Sequence, residues 1–223
     1  EHCVPFVVDN TVGTPVNCQP LDYNADYVIH STTKYLSGSN DHAGGAVLVK
    51  NSMDANALDN FQRCWEMKIS HLEAAALWEY MQDFQERMER FNNNGTILAE
   101  FLAEHFAVDF VYHPSLSTNS SYAEAKKLLK GNGGVVSFTL KDESENALKK
   151  FYDREFPSII KAPSIGSNLT LICPYTLLTN YFYTDEELKE INLPRYLIRI
   201  SAGCETETER ILEDLDFALK RTI

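Results

Sequence analysis

The sequence predicts an α/β fold in which short apolar runs alternate with amphipathic stretches. Three observations lead there. Apolar runs at residues 5–8, 27–29 and 44–49 are brief and end in turn-forming or polar residues, as buried strands of a parallel or mixed sheet do. Helical spacing of apolar residues marks 70–91, 96–104 and 206–220. The polar links between these segments are short, which suits layered packing.

In chain order, residues 5–8 (PFVV) run into Asp9-Asn10-Thr11. Residues 27–29 (YVI) run through His30 into Ser31-Thr32-Thr33-Lys34. Only a brief helix, near 19–23, fits between them. A third strand, 44–49 (GGAVLV), follows a glycine-rich turn. Ala55, Leu58, Phe61 and Trp65 predict a short helix over 52–67 packed on the sheet. Over 70–91, Leu72, Ala75, Ala76, Trp78, Tyr80 and Phe84 form an apolar face, with Glu86, Arg87, Glu89 and Arg90 on a charged one. Ser70 and Glu73 form the capping-box pattern at its start. Asn92-Asn93-Asn94-Gly95 predicts a break or bend, after which 96–104 is helical with Leu98, Phe101 and Leu102 inward. Residues 70–104 thus read as a connector between two domains, 1–90 and 91–223.

The second domain reads as a small α/β layer. Its predicted strands are 106–112, 135–140, 159–162, 169–173 and 197–201. Its predicted helices are 122–129, 143–154 and 206–220, with a further turn at Asp185-Glu186-Glu187, acids suited to a helix N-terminus. The glycine-rich 130–134 lacks the Lys-Ser/Thr of a P-loop and reads as a turn. The aromatic run 175–183 suits a substrate wall or a subunit contact, but reads first as core packing.

Bulk properties exclude several classes. A net charge of −12 opposes binding to nucleic acid or to an anionic membrane. No apolar run approaches the roughly 18–20 residues that span a bilayer. Cys3, Cys18, Cys64, Cys173 and Cys204 are odd in number, scattered and without a CxxC, so reduced cytoplasmic thiols fit better than disulfides or zinc, and no metal is expected. Cys64 and Cys173 read as buried thiols. The sequons at Asn94, Asn119 and Asn168 are short patterns that carry little weight. The opening, EHCVPFVVDN, starts almost inside a strand, which raises the expectation of a piece of a longer protein.

In open α/β sheets ligands sit outside the carboxyl ends of the strands. Asp9 and Lys34 both fall there. A lysine can hold pyridoxal phosphate as a Schiff base while an acid pairs with the pyridine nitrogen. The hydroxyls of Ser31 and Thr33 are near enough in sequence to serve the phosphate. The same residues also fit a turn-capping Asp9 and a solvated Lys34, and spacing alone does not choose. Arg199, inside LIRIS, is costly to bury unless paired, and its planar fork suits a carboxylate ligand or an internal salt bridge. His30 reads as a packed strand-end histidine.

The wording VVDNT, HSTTKYLSG, DHAGG, APSIGSNLTLICP and LIRISAGCE, in this order, resembles the Cys/Met-metabolism family of pyridoxal-phosphate enzymes. That family includes cystathionine γ-synthase, the cystathionine lyases, methionine γ-lyase and the O-acylhomoserine sulfhydrylases. The resemblance implies a PLP-dependent transferase fold of the aspartate-aminotransferase type, present as a partial large domain plus a small C-terminal α/β domain. It implies pyridoxal 5'-phosphate as cofactor, Lys34 as the catalytic lysine, and Asp9, Thr11, Ser31 and Thr33 as further cofactor-binding residues. Arg199 and Ser164 would bind the substrate's α-carboxylate. The implied partners are small amino-acid substrates and further copies of the chain, as a homodimer or homotetramer. The implied activity is cystathionine γ-synthase-like replacement at an O-acylhomoserine by cysteine. A lyase, a sulfhydrylase or a non-catalytic relative are the alternatives.

The departures bear on specificity. The family's G-H-x-D is Gly38-Ser39-Asn40-Asp41 here. The second glycine of its S-L-G-G is Ser167, and the glutamate that follows is Leu169. Its R-G-L-[KR]-T-L reads Glu79-Tyr80-Met81-Gln82-Asp83-Phe84.

Overall fold

A three-stranded sheet opens the architecture of the computed structural model, which describes residues 4–222. β1 (Val7–Asp9) and β2 (Tyr27–Ser31) run parallel, with Asp9 level with Ile29. β3 (Gly45–Val49) pairs antiparallel with β2. A single turn, α1 (Thr14–Asn17), and a 3-10 turn at Pro20–Tyr23 connect β1 to β2, the latter where a brief helix is expected. Proline near the start of each presets φ where no N–H is needed.

α2 (Ser52–Cys64) begins at Asn51, whose side chain accepts the Asp54 N–H at 2.8 Å. α3 (His71–Tyr80) carries the expected capping box: Glu73 N–H donates to Ser70 Oγ at 3.2 Å and Ser70 N–H to Glu73 Oε2 at 2.8 Å. α4 (Phe84–Glu104) then runs to the second layer.

That layer follows in the order β4 (Val108–Tyr112), α5 (Tyr122–Leu128), β5 (Val135–Leu140), α6 (Glu145–Tyr152), β6 (Ile160–Lys161), β7 (Leu171–Pro174), α7 (Tyr175–Thr179), α8 (Asp185–Glu190), β8 (Ile198–Ser201) and α9 (Thr208–Leu219). The strands order as β4–β5–β8–β7–β6, antiparallel except for the β6–β7 pair. β8, bearing Arg199, is therefore central. Val136 and Phe138 of β5 and Ile198 and Ile200 of β8 meet Leu98 and Leu102 of α4 and Ile211 and Leu215 of α9 in one buried core. Burying each such side chain contributes about 1.5–3 kcal/mol relative to exposure. Among the described residues no helix is long and apolar enough to cross a membrane.

Several expectations are corrected. The helix breaks at 81–83, not at the asparagines, which lie inside α4. The side chains of Asn92 and Asn94 have distant partners, so they do not compete for the helix's own backbone. Asn92 exchanges hydrogen bonds with Asn17 and accepts from Gly133 N–H, and Asn94 donates to the carbonyls of Gly203 and Glu205. Gly95 is required because a Cβ there would strike the Gly133 carbonyl.

Arg87, assigned to a charged outer face, is 4 % exposed. It shares a helix face with Phe84, Met88 and Phe91, all buried. Conversely α3 buries no residue, and Leu72 and Trp78 stand in the open. Phe6, Val7 and Ile29 are exposed while Val28 is buried, because among the described residues only one face of the first sheet is covered. Tyr181 and Phe182 are exposed rather than packed: α7 ends at Thr179 and the chain turns outward. Cys173 is a buried thiol, but Cys64 is exposed. Cys3 lies outside the described residues.

Candidate active site

The parallel pairing of β1 and β2 brings their carboxyl ends to one edge of the sheet. Thr11 ties those ends together. Its Oγ1 accepts the Ser31 N–H at 2.9 Å, and its own N–H donates to Asp9 Oδ1 at 3.0 Å. The hydroxyl and N–H of Thr11, with the nearby His30, hold the Asp9 carboxyl below the usual carboxylate range. Asp9 is thus kept ionised at the open edge of the sheet. His30 is buried, and burial pushes its imidazole below the usual range against the pull of Asp9. It is the packed histidine the sequence predicts.

Beyond Ser31 the chain enters a wide π-type turn, Thr32–Leu36, inside which Lys34 departs from helical geometry (φ −88°, ψ −124°). Side chains hold this turn. Thr32 Oγ1 meets His42 Nε2 at 3.1 Å, Thr33 Oγ1 accepts the Gly44 N–H at 3.3 Å, and Ser37 Oγ donates to the Thr33 carbonyl at 2.8 Å. The small hydroxyl residues of the motif therefore build the turn as well as line it.

Lys34 Nζ donates to Ser164 Oγ at 2.9 Å, and Ser164 Oγ donates to Asn40 Oδ1 at 2.5 Å. Arg199 reaches the same loop from β8, its Nη2 donating to the carbonyls of Pro163 at 2.7 Å and Ser164 at 3.1 Å. Its guanidinium lies 4.9 Å from the ring centre of Tyr175, and its buried Nε has no hydrogen-bond partner among the described residues. Arg199 forms no ion pair among the described residues, so the internal salt bridge is not what holds it. The structure thus joins Lys34, Ser164 and Arg199 in one chain of contacts, and Asp9, Thr11 and Ser31 in another at the neighbouring strand ends.

Three contributors were not singled out from the sequence. Asn40, in the left-handed region at φ 61°, fills the position where the motif has any residue, and it orients Ser164. Glu205 accepts from the N–H and the hydroxyl of Thr170, fixing the loop after Ser164. Tyr175 flanks Arg199. Asn40 left a local signal, since asparagine after Gly38-Ser39 favours a tight turn with positive φ, and Glu205 closes the LIRISAGCE wording. A hollow of about 560 Å³ lined by Tyr112, Leu140, Leu188 and Arg195 lies elsewhere, and none of these site residues borders it.

These residues suit pyridoxal phosphate. The cofactor calls for an amine, an acid for its ring nitrogen and donors for anionic groups. Here the amine contacts a neutral hydroxyl, the acid is held ionised, and a buried guanidinium N–H stands without an acceptor among the described residues.

Comparison with known proteins agrees. The family model for Cys/Met metabolism PLP-dependent enzymes matches residues 1–220. The chain is 34% identical over 221 residues to the L-methionine gamma-lyase of Porphyromonas gingivalis, covering 99% of this chain and 55% of that protein. It is 33% identical over 220 residues to a cystathionine beta-lyase of Lactococcus lactis, covering 99% and 57%. The crystal structure of cystathionine gamma synthase from Xanthomonas oryzae pv. oryzae in complex with cystathionine superposes with a TM-score of 0.91 at 32% identity, over 98% of this chain and 56% of that one. The chain spans about half the length of the curated relatives it matches. The Lys34 turn, Asp9 and the Arg199 strand therefore stand within a fold and a family model that agree, and the chain belongs to the Cys/Met metabolism PLP-dependent enzymes.

Proposed function

We propose that the protein acts on sulfur amino acids with pyridoxal phosphate, and that its activity is γ-replacement, joining an O-acylhomoserine to cysteine. The observation that supports this reading is the contact chain from Lys34 through Ser164 to Arg199, an amine beside a planar fork of the kind that suits a carboxylate. Lys34 holds the cofactor and carries the substrate's Cα proton as general base. Asp9 keeps positive charge on the ring nitrogen, Thr11 braces Asp9, and Ser31 and Thr33 donate hydroxyls to the phosphate. Arg199 and Ser164 orient the α-carboxylate. Bound there, pyridoxal phosphate supplies an electron sink for negative charge at Cα. Residues 1–90 and 91–223 are proposed as the domain units, and a homodimer or homotetramer as the assembly.

Elimination is the second reading, favoured by relatives that carry the names L-methionine gamma-lyase and cystathionine beta-lyase. A substrate panel on the full-length protein separates the two: O-acetylhomoserine and O-succinylhomoserine with cysteine, then cystathionine and methionine alone. Cystathionine formed from an O-acylhomoserine, and lost in Lys34→Ala, is the expected result. Ammonia released from methionine without an acceptor would favour elimination. A colourless protein that cannot be reconstituted with pyridoxal phosphate would sink both.

A further inference from the structure

We infer that Arg87 is a positioning residue for Lys34, a role that rests on Lys34 being the cofactor lysine. Arg87 lies in the first turn of α4 and is almost fully buried. Its guanidinium reaches across to the lysine turn. Nη1 donates to the Tyr35 carbonyl at 2.9 Å, and Nη2 to the carbonyls of Leu36 at 3.0 Å and Tyr80 at 2.6 Å. Tyr35 and Leu36 directly follow Lys34. The fork therefore grips the end of the turn whose middle residue presents the amine to Ser164.

Two further features show that the turn is shaped around this group. Gly38 sits at φ +75°, and a Cβ there would lie 2.5 Å from Arg87 Nη1. A side chain at Gly38 would displace the guanidinium, so the glycine serves the approach as well as the backbone angle. The Gly38 carbonyl accepts the Asn168 N–H at 2.7 Å, which ties the same turn to the loop that carries Ser164. Arg87 thus stands where the lysine turn and the carboxylate loop are fastened together.

The electrostatics point the same way. The only ion-pair partner of Arg87 among the described residues is Asp83, at 2.7 Å, whose side chain is 61 % exposed. A buried cation with one exposed counter-ion spends its remaining donors on carbonyl oxygens, and a lysine ammonium cannot reach several of them in the plane that a guanidinium does. Arg87 sets the backbone of the turn and, through it, the direction in which Nζ points.

The test uses the full-length protein with Arg87→Lys, Asp83→Asn and, as control, Arg90→Lys on the exposed face of α4. Amide hydrogen exchange of the apo-protein is read first. Arg87→Lys should speed exchange at Ser37 and Gly38 by about tenfold, the size expected when a buried acceptor loses its donor, and leave β5 and β8 unchanged. Cofactor dissociation should quicken by a similar factor, and kcat should fall while KM stays within about twofold. Asp83→Asn should give the same pattern at smaller size, which keeps the test open should Arg87→Lys fail to fold. Arg90→Lys should change nothing. Unchanged exchange at 37–38, a rise spread evenly over both sheets, or a change in KM alone would overturn the assignment. A wild-type protein that binds no pyridoxal phosphate would overturn the cofactor reading, whereas the exchange result decides whether Arg87 holds the turn.

Discussion

Lys34 Nζ and Ser164 Oγ stand 2.9 Å apart, and the same hydroxyl donates onward to Asn40 at 2.5 Å. Ser164 accepts one hydrogen bond and gives one, so Lys34 and Asn40 compete for nothing and each fixes the rotor for the other. Ser164→Ala and Asn40→Ala should therefore act as one lesion. Each should lower kcat/KM by on the order of tenfold, and the double variant should be little worse than either single, with a coupling of about 1 kcal/mol in a double-mutant cycle. Steady-state kinetics of the three variants checks this, and additive losses would separate the two residues.

Arg199 holds its loop with one nitrogen and keeps a buried Nε without an acceptor among the described residues. A buried donor left unpaired is costly, and a substrate carboxylate is a suitable acceptor for it. Arg199→Lys keeps the charge and loses the fork. KM for the amino-acid substrate should rise by on the order of tenfold or more, with the visible absorbance of bound cofactor unchanged. Loss of the absorbance with KM intact would assign Arg199 to the cofactor instead.

What was legible in the sequence was local. The capping box of Ser70 and Glu73 and the strand Val135–Leu140 are read from neighbouring residues, and both are present as expected. Asp9 and Lys34 could be placed at strand ends for the same reason. The helix around Asn92–Gly95 was misread because its partners, Asn17, Gly133 and Gly203, are far away in the chain. Arg87 was misread because its charge pointed to solvent, while its spacing from Phe84 and Phe91 pointed to the core; packing decided. Glu205 closes the LIRISAGCE wording, but its role was not readable, since its partner Thr170 meets it only after β7 and β8 have paired.

Thr11 offers a test of the strand-end cluster. Its hydroxyl accepts from Ser31 N–H and helps hold the Asp9 carboxyl below its ordinary value of 3.8. A depressed carboxylate adds stability above that ordinary value and loses it as pH falls through the lower folded value. Thr11→Val should raise the Asp9 pKa and cost about 1 kcal/mol at neutral pH, mostly from the Ser31 N–H left without its acceptor. The Asp9 share is small because the carboxylate is exposed, and it should vanish below the ordinary carboxylate range. Urea unfolding at neutral and acid pH reads both parts; a penalty with no acid-side change would deny the link to Asp9.

His113 sets a second pH dependence, far from the lysine turn in sequence. It is 2 % exposed, with Nδ1 2.8 Å from Ser115 Oγ and Nε2 3.2 Å from the Gly133 carbonyl. A carbonyl only accepts, so Nε2 carries the hydrogen, while Nδ1 accepts the Ser115 N–H at 3.4 Å, which makes the ring neutral. Burial pushes its pKa below the ordinary 6.5, against the pull of the Gly133 carbonyl. The unfolded chain therefore binds a proton first as pH falls. Stability from this group is complete above 6.5 and is lost between that value and the lower folded one. The melting temperature should fall from pH 7.5 to 5, and His113→Gln should flatten that slope while lowering stability at pH 7.5 by about 1–3 kcal/mol through the disturbed Gly133 contact. Gly133 also stands against Gly95 of α4, so His113 lies beside the packing that joins α4 to the second sheet. Thermal melts of the two proteins across this range decide it: equal slopes would move the acid sensitivity to His30 or His105, whose rings burial also pushes down.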